Sequence, residues 1–106
     1  MTDAYSAAHN GSVLIDVRTA QERSAEGRPA GATHIPLDKL QSYASRLSGD
    51  EVLVICRSGR RSAHAASMLR RHGVSAKNVK GGILAWKRQG LPLDPTSQRM
   101  RKKKQR

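Results

Sequence analysis

Val52-Leu53-Val54-Ile55, then Cys56-Arg57-Ser58-Gly59-Arg60-Arg61-Ser62, then Ala63-His64-Ala65-Ala66-Ser67-Met68-Leu69-Arg70-Arg71 is the stretch that decides the fold. The first four residues are the β-branched and aliphatic run of a buried strand. The last nine are rich in helix formers and carry apolar residues at Ala65, Met68 and Leu69. A strand therefore runs through a tight loop into a helix. The thiol of Cys56 falls where the free N–H groups and the positive end of a helix dipole favour an anion. Such a setting favours the thiolate, which is the reactive form. A lone cysteine is ordinarily a small core hydrophobe. Here three arginines and a glycine follow within five positions, which apolar packing would not select, so Cys56 reads as a nucleophile.

Upstream, Val13-Leu14-Ile15-Asp16-Val17 is continuous rather than alternating, as central parallel strands are. Asp16 near its end needs partners, most simply loop N–H groups or an arginine. Thr19 is an N-cap with Glu22 three residues on, a capping box that opens one short helix. Gly27 to Ala32 reads as a loop, and Thr33-His34-Ile35 as a brief strand before Pro36. Leu37, Leu40, Tyr43, Ala44 and Leu47 mark one face of a helix over 38–47, with Asp38 as its N-cap and Ser48-Gly49-Asp50 as its stop. Downstream, His72-Gly73 closes the central helix. Lys77-Asn78-Val79 is a weak strand, Gly81-Gly82 a turn, and Ile83 to Gln89 a helix whose inner or bordering face is Ile83, Leu84, Trp86 and Lys87. Gly90-Leu91-Pro92 ends it. At the other end, Asp3 to His9 reads as a turn or two of helix stopping at Asn10-Gly11. Alternation of strands and helices at these lengths predicts an α/β domain with a mostly parallel sheet of four or five strands flanked by helices. Sites in such sheets form at the carboxyl ends of strands, where Cys56 stands.

At 106 residues the chain has room for one modest core, which without Phe must be built from Val, Leu, Ile and Ala. The expected organisation is a short segment over 1–12, a domain over 13–94 and a basic disordered tail over 95–106. A single cysteine excludes an internal disulfide framework and suits a reducing compartment. The polar residues 1–10 do not resemble a signal peptide and no run is long enough to cross a membrane, so a cytoplasmic location is expected. Half of the formal net charge of +12 lies in Arg99, Arg101, Lys102, Lys103, Lys104 and Arg106. Such a block repels itself and is expected to be solvated.

Five stretches then resemble the rhodanese, or sulfurtransferase, domain. They are Leu14-Ile15-Asp16-Val17-Arg18, Gly31-Ala32-Thr33-His34-Ile35-Pro36, Val54 to Ala63 around Cys56, Leu69 with Gly73, and Gly81-Gly82-Ile83-Leu84-Ala85-Trp86. They occur in the family's order and spacing over about residues 13–92. The resemblance implies a three-layer α/β fold around a central parallel sheet, and an active-site loop whose cysteine accepts a sulfane sulfur as a persulfide. The chain departs from the family in three places. Only twelve residues precede the first strand, Arg28-Pro29-Ala30 stands where His-Ile-Pro is common, and Arg23 stands where an aromatic often follows Glu22.

The loop suits that chemistry on physical grounds as well. Gly59 permits a tight turn in which successive N–H groups converge on the sulfur. Arg57, Arg60 and Arg61 supply a positive field for anionic donors, and spacing leaves open which of them points inward. Ser58 completes the loop, and Ser62 caps the helix or serves the sulfur. Asp16 and Arg18 read as a brace for the loop region. Trp86 reads as a core anchor. His9, His34, His64 and His72 lack metal-ligand spacing with Cys56, so no metal and no cofactor is expected, although His64 lies close enough in sequence to influence the thiol.

The reading reached is a sulfurtransferase that moves sulfur from thiosulfate or a persulfide, through Cys56, to cyanide, a thiol or an acceptor protein, and acts as a monomer without a membrane. A cysteine phosphatase or arsenate reductase is the first alternative. Those enzymes separate cysteine and arginine by five residues, and here Ser62 occupies that position while Arg61 falls one earlier. A nucleic-acid-binding module using residues 99–106 is the second, weakened by the lack of neighbouring aromatics.

Overall fold

The computed structural model describes residues 11–47 and 49–94. The expected N-terminal helical turn and the basic tail lie outside the described residues. Strands β1 (Val13–Asp16), β3 (Thr33–His34), β4 (Glu51–Ile55) and β5 (Ser75–Asn78) form a four-stranded sheet in the order β3-β1-β4-β5. All three pairings are parallel, with Asp16 opposite Ile55 and Val54 opposite Asn78. Helices α1 (Ala20–Glu26), α2 (Arg60–Arg71) and α3 (Gly82–Arg88) connect or flank the strands. This is the three-layer α/β architecture expected, with a central parallel sheet.

The two inner strands are buried on both faces, so alternate residues feed two separate cores. Ile15, Val52 and Val54 join Leu40, Ala44, Ala65, Ala66 and Leu69 on one side. Leu14 and Ile55 join Val79, Ile83 and Trp86 on the other. Trp86 is fully buried and anchors α3, its indole N–H donating to the Pro92 carbonyl at 2.7 Å. Full burial of a side chain this size contributes about 2–3 kcal/mol.

The structure corrects the sequence expectations in five places. Residues Leu37–Leu47 form 3₁₀ rather than α-helical turns. The apolar spacing of three between Leu37, Leu40 and Tyr43 matches that tighter period. Asp38 lies inside the first turn instead of capping it, since the Lys39 N–H already bonds Pro36 O at 2.9 Å. The last strand of the sheet runs Ser75–Asn78, two residues earlier than expected. It is an edge strand with only Ala76 buried, so it has little apolar signal, and its exposed Lys77 suits an edge. On α3 the buried residues are Gly82, Ile83, Ala85 and Trp86 and Leu84 borders them half-buried as expected, while Lys87 is exposed, because the helix begins at Gly82 and turns the Gly82–Ala85 and Ile83–Trp86 side inward. Finally, Arg28–Pro29 (β2), inside the expected Gly27–Ala32 loop, pairs antiparallel with Leu93–Asp94 (β6), a segment for which no element was expected.

Candidate active site

Cys56 follows the last residue of β4 and is buried and free. Three donors converge on its Sγ: the Gly59 N–H at 3.0 Å, the Ser62 N–H at 3.3 Å and the Ser62 hydroxyl at 3.2 Å. The loop reaches this shape because Gly59 adopts φ 104° and packs so closely that a Cβ would lie 3.1 Å from the Gly81 nitrogen. No other residue type takes that conformation without strain.

The outer side of the loop is held by α3. Ile83 N–H donates to Cys56 O at 2.8 Å and Leu84 N–H to Arg57 O at 3.2 Å, so two N–H groups at the start of one helix satisfy the loop's carbonyls. The loop's own N–H groups are thereby left to face the sulfur. Gly82 makes this possible: at φ 58° it sits against those carbonyls, and a Cβ there would overlap both oxygens.

Burial pushes the Cys56 thiol pKa up, but hydrogen bonds from the Ser62 hydroxyl and from the Ser62, Gly59 and Arg61 N–H groups outweigh it and leave the thiol below its ordinary value. These donors favour the charged form, as a nest of N–H groups does for any anion. Ser62 is itself fully buried, and its hydroxyl lies within short hydrogen-bond reach of a second acceptor, Oδ1 of Asn78, at the carboxyl end of β5.

The three loop arginines fare differently. Arg61 makes a bidentate pair with Glu22 of α1, Nη1–Oε1 2.9 Å and Nη2–Oε2 2.7 Å. Hydrogen bonding to Glu22 raises the Arg61 pKa, and the charge on Cys56 acts in the same direction. The same carboxylate closes the capping box with Thr19, and Arg61 above all holds its pKa down to about 2. Arg57 is half exposed and pairs with Glu26 at 2.8 Å. Arg60 is exposed and meets no carboxylate among the described residues. Ser58, Arg60, Arg61 and His64 line an open depression of about 330 Å³ beside the loop. Arg61 also borders a second one, of about 340 Å³, with Val17, Thr19, Pro36, Leu37 and Asp38.

Asp16 and Arg18 stand apart from the sulfur. Both are fully buried, and Arg18 donates to Asp16 from Nε at 3.0 Å and from Nη2 at 2.7 Å. Arg18 Nη2 also reaches Gly27 O, at 2.6 Å, and Arg23 adds a bond to Asp16 at 3.0 Å. Arg23 is one of the departures from the family pattern, and its position explains it: a second guanidinium on Asp16.

Sequence reading missed Asn78, and it saw in Glu22 only a capping residue. A signal existed for both. Glu22 and Glu26 stand four apart on α1, as Arg57 and Arg61 do in the loop, and a polar residue ending the neighbouring strand of a parallel sheet lies where sites form.

Comparison with known proteins agrees with this geometry. The sequence matches the Rhodanese-like domain over residues 1–89. It is 37% identical over 83 residues to a sulfurtransferase of Allochromatium vinosum, covering 76% of this chain and 77% of that one. It is 39% identical over 80 residues to a putative sulfurtransferase of Bacillus subtilis, covering 74% and 77%. The crystal structure of a rhodanese-related protein from Thermoplasma volcanium superposes with a TM-score of 0.77 at 31% identity, over 88% of this chain and 92% of that one. A parallel sheet with a cysteine loop at its carboxyl edge and matches over most of the length place the chain in the rhodanese-like domain family.

Proposed function

We propose that the protein is a sulfurtransferase that carries a sulfane sulfur on Cys56, with thiosulfate as a competent donor. The observation that carries the reading is the set of three donors converging on a buried thiol at a strand end. Sulfur transfer needs a site that holds two anions in turn, a thiolate and then a persulfide. In the first half, the Cys56 thiolate attacks the outer sulfur of thiosulfate. The new Sγ–S bond forms as the donor's S–S bond breaks, and sulfite leaves with the electron pair. In the second half, cyanide, a thiol or an acceptor protein attacks the terminal sulfur, and the Sγ–S electron pair returns to Cys56 as thiolate. Gly59 and Ser62 stabilise Cys56 Sγ as the thiolate that attacks in the first half and is released in the second, while Arg60, the loop arginine without a carboxylate among the described residues, faces incoming anions. Arg57, Ser58 and Arg61 shape the entrance, and Asp16 with Arg18 braces it from the neighbouring strand.

The phosphatase reading finds less support. The residue six positions after Cys56 is Ser62, whose hydroxyl points at the sulfur, and Arg61 is turned to Glu22. Among the described residues no helix is long and apolar enough to cross a membrane.

Intact mass spectrometry after thiosulfate treatment tests the proposal. Wild type gains the mass of one sulfur, loses it on adding cyanide and releases thiocyanate, and Cys56→Ala does none of these. A wild-type protein that gains no sulfur overturns it.

A further inference from the structure

The hydroxyl of Ser62 has a single proton and two acceptors within reach. Cys56 Sγ lies 3.2 Å away, and Asn78 Oδ1 is closer still, in a short hydrogen bond. One proton cannot serve both at once. When Cys56 is a thiol, the arrangement closes: the S–H donates to Ser62 Oγ, and the Ser62 O–H donates to Asn78 Oδ1. When Cys56 is a thiolate it can only accept, so Ser62 must turn its proton to the sulfur. Its oxygen is then set against Asn78 Oδ1, lone pair to lone pair. The side-chain amide resolves this by turning over, which brings Nδ2 round to donate to Ser62 Oγ. A carboxamide, with a donor and an acceptor of nearly equal shape, can make both arrangements.

We propose that Asn78 is a positioning residue for Cys56, which acts through Ser62 by reversing its amide as the sulfur changes between protonated and anionic forms. The proton lost from Sγ passes to water, the Ser62 hydroxyl rotates, and no other bond changes. The inference gives Asn78 a part in the sulfur transfer proposed above, and its significance rests on that reading. The placement of Asn78 makes the coupling direct: it ends β5 opposite Val54 of β4, one strand from the cysteine and across from the first turn of α2.

The charged groups around this cluster are few. Arg61 of α2 is held by Glu22 of α1, and Asp16 at the end of β1 is covered by Arg18 and Arg23. Lys77 and Lys80 beside Asn78, Lys87 and Arg88 of α3, and Arg57, Arg60 and His64 around the loop are exposed.

Two measurements test the proposal, and neither depends on sulfur transfer. In the first, the side-chain amide signals of Asn78 are followed by NMR as pH is raised, beside the pH profile of iodoacetamide alkylation at Cys56. The Asn78 signals are expected to move with the midpoint of the alkylation profile, and to stay still in Cys56→Ser and in Ser62→Ala. Signals that ignore the ionisation of Cys56, or follow it equally in Ser62→Ala, overturn the proposal. In the second, Asn78→Asp supplies an acceptor that cannot reverse. It is expected to raise the alkylation midpoint by at least about one pH unit, and by less than half as much in a Ser62→Ala background. An equal rise in both backgrounds shows a charge acting through space, and an unchanged midpoint shows no coupling; either overturns it. If Asn78→Asp does not fold, the wild-type NMR titration decides alone. A protein that passes these tests but takes no sulfur from thiosulfate leaves the positioning role standing and removes the proposed activity.

Discussion

Two buried polar clusters stand side by side at the carboxyl edge of the sheet, one at the end of β1 and the other just past the end of β4. In the first, Asp16 meets Arg18 and Arg23, charge against charge, and Arg18 extends the network to Gly27 O. In the second, Cys56 meets N–H and O–H groups and, among the described residues, no charged partner in direct contact. The pairing of Asp16 with Ile55 in the sheet makes the two clusters neighbours. A buried carboxylate answered by guanidinium groups is locked, since separating the charges exposes each to a medium that cannot solvate it. A buried thiol answered by neutral donors is stabilised as an anion while its electron pairs remain open to an electrophile. Neighbouring positions in one sheet thus serve opposite ends, rigidity in one and reactivity in the other.

The contrast predicts opposite responses to substitution. The largest effect is expected from Arg18→Met, which leaves Asp16 short of its principal partner in the interior. Unfolding in urea should show a loss of about 3–5 kcal/mol. Gly82→Ala comes next, since its methyl would displace the carbonyls of Cys56 and Arg57 that α3 holds. A loss of about 2–3 kcal/mol is expected, together with an alkylation profile of Cys56 displaced toward higher pH as the loop shifts. Ser62→Ala lies on the reactive side. It should cost about 1 kcal/mol or less in urea, yet move the alkylation midpoint up, because a donor to the thiolate is lost. Equal destabilisation by Arg18→Met and Ser62→Ala would dissolve the distinction between the clusters.

Glu22→Gln is of similar size and sets a boundary in pH. The Glu22 carboxyl titrates at about 2 in the folded protein against 4.5 ordinarily, so its contribution is complete above about pH 4.5 and is lost as pH falls toward 2. Wild type should therefore lose stability over that acid range by about 1 kcal/mol more than Glu22→Gln does, a modest figure because the pair with Arg61 is partly exposed. Arg57→Ala closes the series at less than about 0.5 kcal/mol, its pair with Glu26 lying half in solvent.

Features encoded within a few residues were legible in the chain. The β4 strand, the cysteine loop and α2 follow one another with local signals for each, and the Thr19–Glu22 capping box forms as the spacing predicts. Features that depend on tertiary register were not. The β2–β6 pair joins two-residue segments, one ending in proline, and neither has a periodicity of its own. The 3₁₀ turns over Leu37–Leu47 carry apolar spacings of three that an α-helix also tolerates, so the spacing alone did not separate the two. Within the site, the loop residues stood out by composition. The bond of Asn78 to Ser62, by contrast, spans sixteen positions, and that of Glu22 to Arg61 thirty-nine. Each exists only because the parallel sheet brings the elements together.

The hydrogen bonds that attach the cysteine loop to α3 join main-chain atoms, Ile83 and Leu84 N–H to Cys56 and Arg57 carbonyls. The side chains at 57, 58 and 60 are exposed and play no part in that attachment. The protein thus separates a fixed socket from an interchangeable rim. Randomising those three positions together should yield mostly folded variants that differ in which sulfur donors and acceptors they admit, with the sulfur held in the same place in all of them.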